Sequence, residues 1–233
     1  MSYPKTHRPV PIEPAAVPSL DEIEGMLAST SSLPDRIYGH LKRDLLTGRL
    51  KPGSRMIEKN LCERFGVSRT PLRESLNRLA HEGLLLLRKN CGFTAAPLDR
   101  NLILRAADLR MLIEPGIVRR LAELRSINFE SELSKMVAEG NDATDEFCRS
   151  NAAFHGALAR CYGNPLLTTV LMRAIDRFQL AIYLVDEALN VVEEEREHQQ
   201  ILETIRKGEA DEAERLMHDH LKSGTDLVIR FYS

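Results

Sequence analysis

From Leu33 the chain places apolar residues at every fourth position, Ile37, Leu41 and Leu45, with Lys42, Arg43 and Asp44 between them, and the run stops at Gly48. That spacing puts a single apolar stripe on a helix of 3.6 residues per turn. Pro52-Gly53 makes a turn, and Glu58 to Phe65 reads as a second short helix carrying Leu61 and Phe65 inward before Gly66 breaks it. A third helix starts at once. Ser68 suits its N-cap, Pro71 falls in the first turn, where its missing N–H would have had no intrahelical partner, and Leu72, Leu76 and Leu79 form the buried stripe up to Gly83. Leu84 to Leu87 and Phe93 to Pro97 read as two short strands around the basic turn Arg88-Lys89-Asn90-Cys91-Gly92. Three helices followed by a β-hairpin make a winged helix-turn-helix.

Beyond Asp99 the apolar spacing stays helical to the end of the chain. Segments fall at about 99–125, 129–139, 142–162, 165–187, 190–207 and 209–231, separated by Ser126-Ile127-Asn128, Gly140-Asn141, Gly163-Asn164-Pro165 and Gly208. The expected fold is therefore mainly α: an N-terminal winged helix over residues 33–97 and a C-terminal antiparallel bundle of six helices over 98–233. Five of the eleven prolines lie in the first eighteen residues and Ser29 to Ser32 is polar, so residues 1–32 read as a mobile arm. Within it Leu20, Ile23, Met26 and Leu27 are spaced for one amphipathic turn.

Charge divides along the same boundary. The net charge of −2 conceals 13 Lys+Arg against 6 Asp+Glu in residues 33–97, a balance of +7, and 17 against 24 in residues 98–233, a balance of −7. A basic module of this size beside an acidic remainder suits a nucleic-acid reader joined to a domain with another task. No apolar run approaches the length of a membrane helix and the start of the chain has no apolar signal core, so a soluble cytoplasmic protein without a membrane partner is expected. Cys62, Cys91, Cys148 and Cys161 show no CxxC spacing and read as reduced thiols.

A reading helix presents its N-terminal residues to base edges in the major groove. The third helix opens Ser68-Arg69-Thr70-Pro71-Leu72-Arg73, and Arg69 and Arg73, four apart, project from one face. Arginine can hold guanine O6 and N7 through two parallel hydrogen bonds, whereas Ser68 and Thr70 suit phosphate or base contacts. Lys59 on the second helix, and Arg88, Lys89 and Gly92 in the wing, suit backbone contacts that position the protein without reading sequence. The plain alternative for each arginine is an exposed helix charge, with Glu74 or Asn77 as a neighbour of Arg73.

Together, Gly48, Lys51-Pro52-Gly53, Leu61, Phe65-Gly66-Val67-Ser68-Arg69-Thr70-Pro71-Leu72-Arg73-Glu74, Leu79 and Glu82-Gly83-Leu84 resemble the winged helix of GntR-family bacterial transcription regulators. The resemblance spans about residues 33–97. Ser75 before Leu76, where family members commonly carry Ala, and Asn90-Cys91 before Gly92-Phe93 depart from the pattern without touching the arginines.

Three histidines of the acidic half fall on apolar helix faces. His155 shares its face with Asn151, Leu158, Ala159 and Tyr162, His198 with Val191, Ile201, Leu202 and Ile205, and His220 with Ala213, Met217, Gly224 and Leu227. His218 lies with Asp211, Glu214 and Lys222 and reads as solvated, and His40 and His81 as non-ligands. Three inward imidazoles on three helices suit a divalent metal such as Zn²⁺ or Ni²⁺, while the bland alternative is a hydrogen-bonded core histidine in each case. Arg110 sits in the apolar stripe of Ile103, Ala106, Ala107, Ile113 and Ile117, where a guanidinium demands an anion: either Glu114, four residues on, or the carboxylate of a bound ligand. Pro115 within the same helix predicts a kink.

Leu109 to Glu114, Asn151 to His155, Asn164 to Leu167, Glu197 to Ile201 and Met217 to Leu221 resemble the all-helical ligand-binding (FCD) domain of the FadR-type GntR subfamily, and six helices favour its VanR-like branch. The resemblance implies a homodimeric regulator, more simply a repressor, that binds double-stranded operator DNA, takes a small carboxylate effector near Arg110, and holds a metal at His155, His198 and His220 with a fourth ligand at position 151. Metal-binding members carry Asp there. Asn151 offers a neutral, weaker oxygen, so the site binds metal with reduced affinity through Asn151, is filled by metal plus an effector carboxylate, or holds no metal. Two rivals remain at this point, a metal-free sensor whose helical domain only dimerises and a metal-dependent enzyme. Against the enzyme stands the lack of HExxH, of a nucleophile motif and of a placed general base.

Overall fold

In the computed structural model, residues 32–89, 92–124, 146–184 and 191–231 are described. The first unit consists of α1 (Leu33–Leu46), α2 (Glu58–Phe65), α3 (Arg69–His81), β1 (Leu85–Arg88) and β2 (Gly92–Ala95). Five helices follow among the described residues: α4 (Arg100–Leu124), α5 (Glu146–Cys161), α6 (Pro165–Leu184), α7 (Val191–Lys207) and α8 (Ala210–Phe231). The winged helix and a helical second unit are as expected. The segment 129–139, which would complete the six, and the turn at Leu20 to Leu27 lie outside the described residues, as does the arm except Ser32.

Ser32 belongs to the fold rather than to the arm. Its hydroxyl accepts from the Asp35 backbone N–H while the Asp35 carboxylate accepts from the Ser32 N–H, a reciprocal cap that fixes the start of α1. Ile37, Leu41 and Leu45 then bury against Leu72, Leu76 and Leu79 of α3 and Phe93 of β2. Fully burying each such leucine contributes about 1.5–3 kcal/mol relative to leaving it in water, and this shared core holds α3 at a fixed angle to the rest. Ser75 explains its own departure from the family pattern: it is buried, and its hydroxyl donates to the Pro34 carbonyl at 2.7 Å, pinning α3 to the first turn of α1.

Gly66 ends α2 in the left-handed conformation, φ 62°, which lets the chain reverse in a few residues and start α3. Ser68 occupies the N-cap position with extended backbone, but its hydroxyl makes no capping hydrogen bond, contrary to the sequence expectation. Ser68 and Thr70 are both exposed, so the start of α3 is a helix N-terminus turned to solvent. β1 and β2 pair antiparallel from Leu85–Ala95 to Arg88–Gly92, and Arg55 adds a bridge to Thr94 on the outer side of β2.

In the second unit α4 is central: it packs along α8 and also touches α5, α6 and α7. Asp99 caps it by accepting from the Asn101 N–H at 2.9 Å, and Pro115 lies within the one helix. Asn164 caps α6 in the same manner, with Pro165 at the first helical position. α5 and α6, and α7 and α8, pack together across connections of two or three residues, which forces each pair to run antiparallel. Among the described residues no helix is long and apolar enough to cross a membrane.

The two units meet where α1 touches α6. Lys42 on α1 lies 2.6 Å from Asp176 on α6, with side-chain exposures of 20% and 6%, and 3.3 Å from Glu82. Glu82 also accepts from the Tyr38 hydroxyl at 2.8 Å. Burial works against the charge on Lys42, but Asp176 beside it raises the ammonium above its ordinary range, so the contact is a held ion pair. Gly83 passes so close to the Arg177 guanidinium that a side chain at 83 would collide with it.

Candidate functional site

Several basic residues of the winged helix are exposed on α2, on α3 and in the wing. Arg69, Thr70 and Arg73 are exposed along the first turns of α3, Lys59 on α2, and Arg88 and Lys89 at the end of β1. Arg55, Glu58, Arg69, Arg73 and Gly92 line one open concavity between α3 and the wing. Gly92 starts β2 with φ 74°, a conformation that turns the wing beside α3. Arg73 has its acidic neighbour in Glu58 of α2, 3.8 Å away, rather than in Glu74 of its own helix, and Lys59 has Glu63 at 3.9 Å. Both pairs are long and solvated, worth little in water, so both cations remain available to phosphate. Arg55 was not singled out in the sequence, since it lies in a turn; its bridge to β2 brings it to the same surface.

The three histidines converge in the core of the second unit. His155 is 1% exposed, His198 4% and His220 7%, and one ligand-capable atom from each lies within 4.8 Å of the others. His220 Nε2 is 3.3 Å from both His155 Nε2 and His198 Nε2. The outer nitrogens of two rings are tied to carboxylates: His155 Nδ1 lies 2.5 Å from Glu114 Oε2, and His220 Nδ1 2.6 Å from Glu197 Oε2. A carboxylate only accepts, so Nδ1 carries the proton in each ring and the Nε2 lone pairs face one another. Phe154 stacks on His198 with ring centroids 3.9 Å apart, which fixes that imidazole from the other side.

Two acceptor lone pairs at 3.3 Å repel unless a cation lies between them. Ligand nitrogens at about 2.0–2.1 Å from a tetrahedral centre stand roughly 3.3 Å apart, so the spacing fits a divalent ion. Burial pushes the His155 imidazole down to about 4 despite the pull of Glu114, and burial together with the other two histidines pushes His198 lower still. Both are therefore neutral at pH 7, the form that ligates a metal.

Arg110 is buried and its Nε donates to Glu114 Oε1 at 2.6 Å, so the intrahelical partner is the anion present. Burial opposes ionisation of Glu114, but Arg110, and after it His155, hold its carboxyl well below the usual carboxylate range. Glu114 thus links Arg110 to the histidine cluster. Arg110 also lies over the Phe178 ring of α6, 4.9 Å from its centroid. Asn151, one turn before His155, donates from its amide to Glu194 Oε1 at 2.6 Å. Burial raises the Glu194 carboxyl to about 7, against the pull of His220.

Residues 33–94 match the model of the bacterial regulatory proteins of the gntR family, and residues 105–223, over half of the chain, match that of the FCD domain. The chain belongs to the GntR family. An HTH-type transcriptional regulator in an unstable DNA locus of Streptomyces ambofaciens is 30% identical over 210 residues, 88% of this chain and 89% of that one. The galactonate operon transcriptional repressor of Escherichia coli K12 is 28% identical over 224 residues, 84% of this chain and 96% of that one. Among solved structures, that of E. coli McbR/YncC matches with a TM-score of 0.71 at 22% identity, over 88% of this chain and all of that one, and so shares the fold.

This GntR protein is accordingly a DNA-binding transcription regulator with an FCD domain, not an enzyme. Within the GntR winged helix, Arg69, Arg73 and Gly92 of the residues singled out in the sequence line one concavity. Within the FCD domain, the three chosen histidines meet, and His218 is half exposed beside Asp219. Missing from the sequence reading were Glu194, Glu197 as a partner of His220, and Phe154. Glu197, next to His198, and Phe154, next to His155, left a signal in the chain.

Proposed function

We propose that this regulator acts in the cytoplasm as a homodimeric repressor whose two winged helices read the halves of a pseudo-palindromic operator, and whose FCD domain, with a divalent metal at His155, His198 and His220, responds to a small organic acid. The observation that carries the metal and effector reading is the convergence of the three Nε2 atoms beside the buried Arg110. When bound, the metal supplies a positive centre for an anionic ligand. Arg110 engages Glu114 through Nε, so its terminal nitrogens are the donors a carboxylate effector would take. The domain roles, residues 33–97 for DNA and 98–233 for effector and dimer, follow the same reading.

α6 is the element that can pass the signal. Its Phe178 lies against Arg110, and two residues earlier Asp176 holds Lys42 of the winged helix. A ligand that alters Arg110 shifts α6, and with it the seat of α1. By linkage the effector must bind the DNA-bound and free arrangements with different affinity. Asp176→Asn is expected to leave operator affinity nearly unchanged while reducing the effector-induced change severalfold, measured by fluorescence anisotropy at fixed salt. Equal effector response in the variant would remove α6 from the path.

The test of the whole reading is a titration of labelled operator DNA with the metal-loaded protein while small mono-, di- and hydroxycarboxylates are added. A carboxylate that changes operator affinity supports it, and no response across the set overturns the effector class. Lys59→Ala is expected to weaken specific and non-specific DNA alike and to reduce the slope of log affinity against log salt by about one unit. A sequence-selective loss would instead make Lys59 a base reader.

A further inference from the structure

The central helix of the second unit keeps one side open. Arg105, Asp108, Leu112, Gly116, Arg120 and Glu123 recur on α4 at intervals of three and four, so they form one stripe along it, and all six are exposed. Leu112, in the middle of the stripe, is 77% exposed. One turn on, Gly116 leaves a gap: a Cβ added there would meet nothing of this chain within 4 Å. Glycine weakens a helix interior and is placed where something comes close to the backbone. The stripe therefore pairs an apolar knob with a hole of its own.

Building on the proposed homodimer, we infer that α4 packs antiparallel against α4 of a second copy of this chain, about a two-fold axis at the level of Glu114. In that register Leu112 of each chain enters the gap over Gly116 of the other, Arg105 faces Glu123, and Asp108 faces Arg120, each pair occurring twice. Moving the second copy by one turn sets Arg105 against Arg119 or Leu112 against Arg120, and a parallel pair sets each charge against its like, so the stripe selects one arrangement. The charges within one chain are unevenly matched. Glu123 serves both Arg119 at 3.2 Å and Arg120 at 2.8 Å, whereas Arg105 and Asp108 have no ion-pair partner among the described residues. Across the axis Asp108 meets Arg120, and Glu123 meets Arg105. Because α4 starts at Arg100, directly after the winged helix, the two starts stand roughly 40 Å apart at about 1.5 Å per residue, the scale of the roughly 34–36 Å between half-sites one DNA turn apart.

Sedimentation of the full-length protein over a range of concentrations, without DNA, tests this. Wild type is expected to sediment as a dimer. Gly116→Leu fills the gap, and D108R sets two arginines against each other at both ends of the pair; each is expected to raise the dimer dissociation constant at least about tenfold. Helix content by circular dichroism should stay that of wild type in both, since position 116 is open within the chain and position 108 is exposed. The double exchange D108R/R120D, which returns opposite charges across the axis, is expected to recover most of the association. Leu166→Arg, at an equally open leucine on α6, is expected to leave the dimer intact. Wild-type association in either single variant would overturn the α4 pairing while leaving the homodimer standing. A double exchange as weak as D108R alone would overturn it as well, and a dimer lost in Leu166→Arg would move the interface to α6. Wild type that sediments as a single chain would overturn the homodimer itself, and the α4 pairing with it.

Discussion

Replacing Glu114 by alanine is expected to lower the unfolding free energy by about 3–5 kcal/mol, because it leaves a buried guanidinium without an anion. Arg110 is 4% exposed and Glu114 2%, and the pair lies at 2.6 Å in the middle of α4. The same substitution strips the acceptor from His155 Nδ1, so two buried donors lose their partner at once. For a chain of this size the melting temperature should fall by roughly 10 °C. The loss should be the same at pH 7.5 and pH 5.5. Glu114 has a depressed folded-state pKa, so its contribution is complete above the unfolded value of 4.5 and is lost only as pH falls through the lower folded value.

Removing both charges gives the opposite contrast. R110M/E114L keeps most of the volume and removes the desolvation of two ions together, so it should recover much of the stability lost in Glu114→Ala, although His155 still lacks its acceptor. Effector response should vanish in the double variant while DNA binding persists. Thermal melts of the two variants beside wild type decide the matter. A Glu114→Ala protein within about 1 kcal/mol of wild type would show that Arg110 has another anion and that the pair is not the hinge between α4 and the histidines.

Arg69→Ala is expected to reduce affinity for the specific operator roughly five- to hundredfold while leaving non-specific binding within a few-fold, the effect of losing about 1–3 kcal/mol at one base pair. Arg69 is the first residue of α3, exposed, with no close acidic partner among the described residues and with Arg55 and Arg73 lining the same concavity. An arginine at the start of a reading helix is placed to reach base edges. Arg73, with Glu58 at 3.8 Å, should cost less in discrimination and more in salt dependence when removed. Competition with single-base variants of the operator at constant salt measures this. Unchanged preference in Arg69→Ala would pass the reading role to Arg73 or Arg55.

Legibility in the sequence followed the range of the interactions. The stop at Gly66, the restart at Ser68 and the leucine stripe of α3 are local matters, and the winged helix could be read from them. Ser68 is of the same scale: it stands at the N-cap as read, but its hydroxyl makes no cap bond. Ser32 was misplaced because a capping box one residue from a polar tract looks like more tract until its carboxylate partner is seen. The inward faces of His155, His198 and His220 were legible too, since helical period alone sets which face a residue shares.

The partners of those faces were not legible. Glu114 is 41 residues from His155, Glu194 43 from Asn151, and Glu197 23 from His220, and no periodic pattern connects residues on different helices. For Arg110 the sequence left two anions open, and the one present is Glu114, one turn on in the same helix. By itself, then, the sequence determined the order and type of the described elements, the division of charge and the inward histidines, because these depend on neighbours within a few turns. The tertiary structure decided which carboxylate meets which ring, that Asn151 holds Glu194 instead of standing alone, and that Asp176 ties α6 to the winged helix. Those contacts exist only once the hydrophobic cores have set distant helices side by side, within the 2.5–3.3 Å at which charges and lone pairs select their partners.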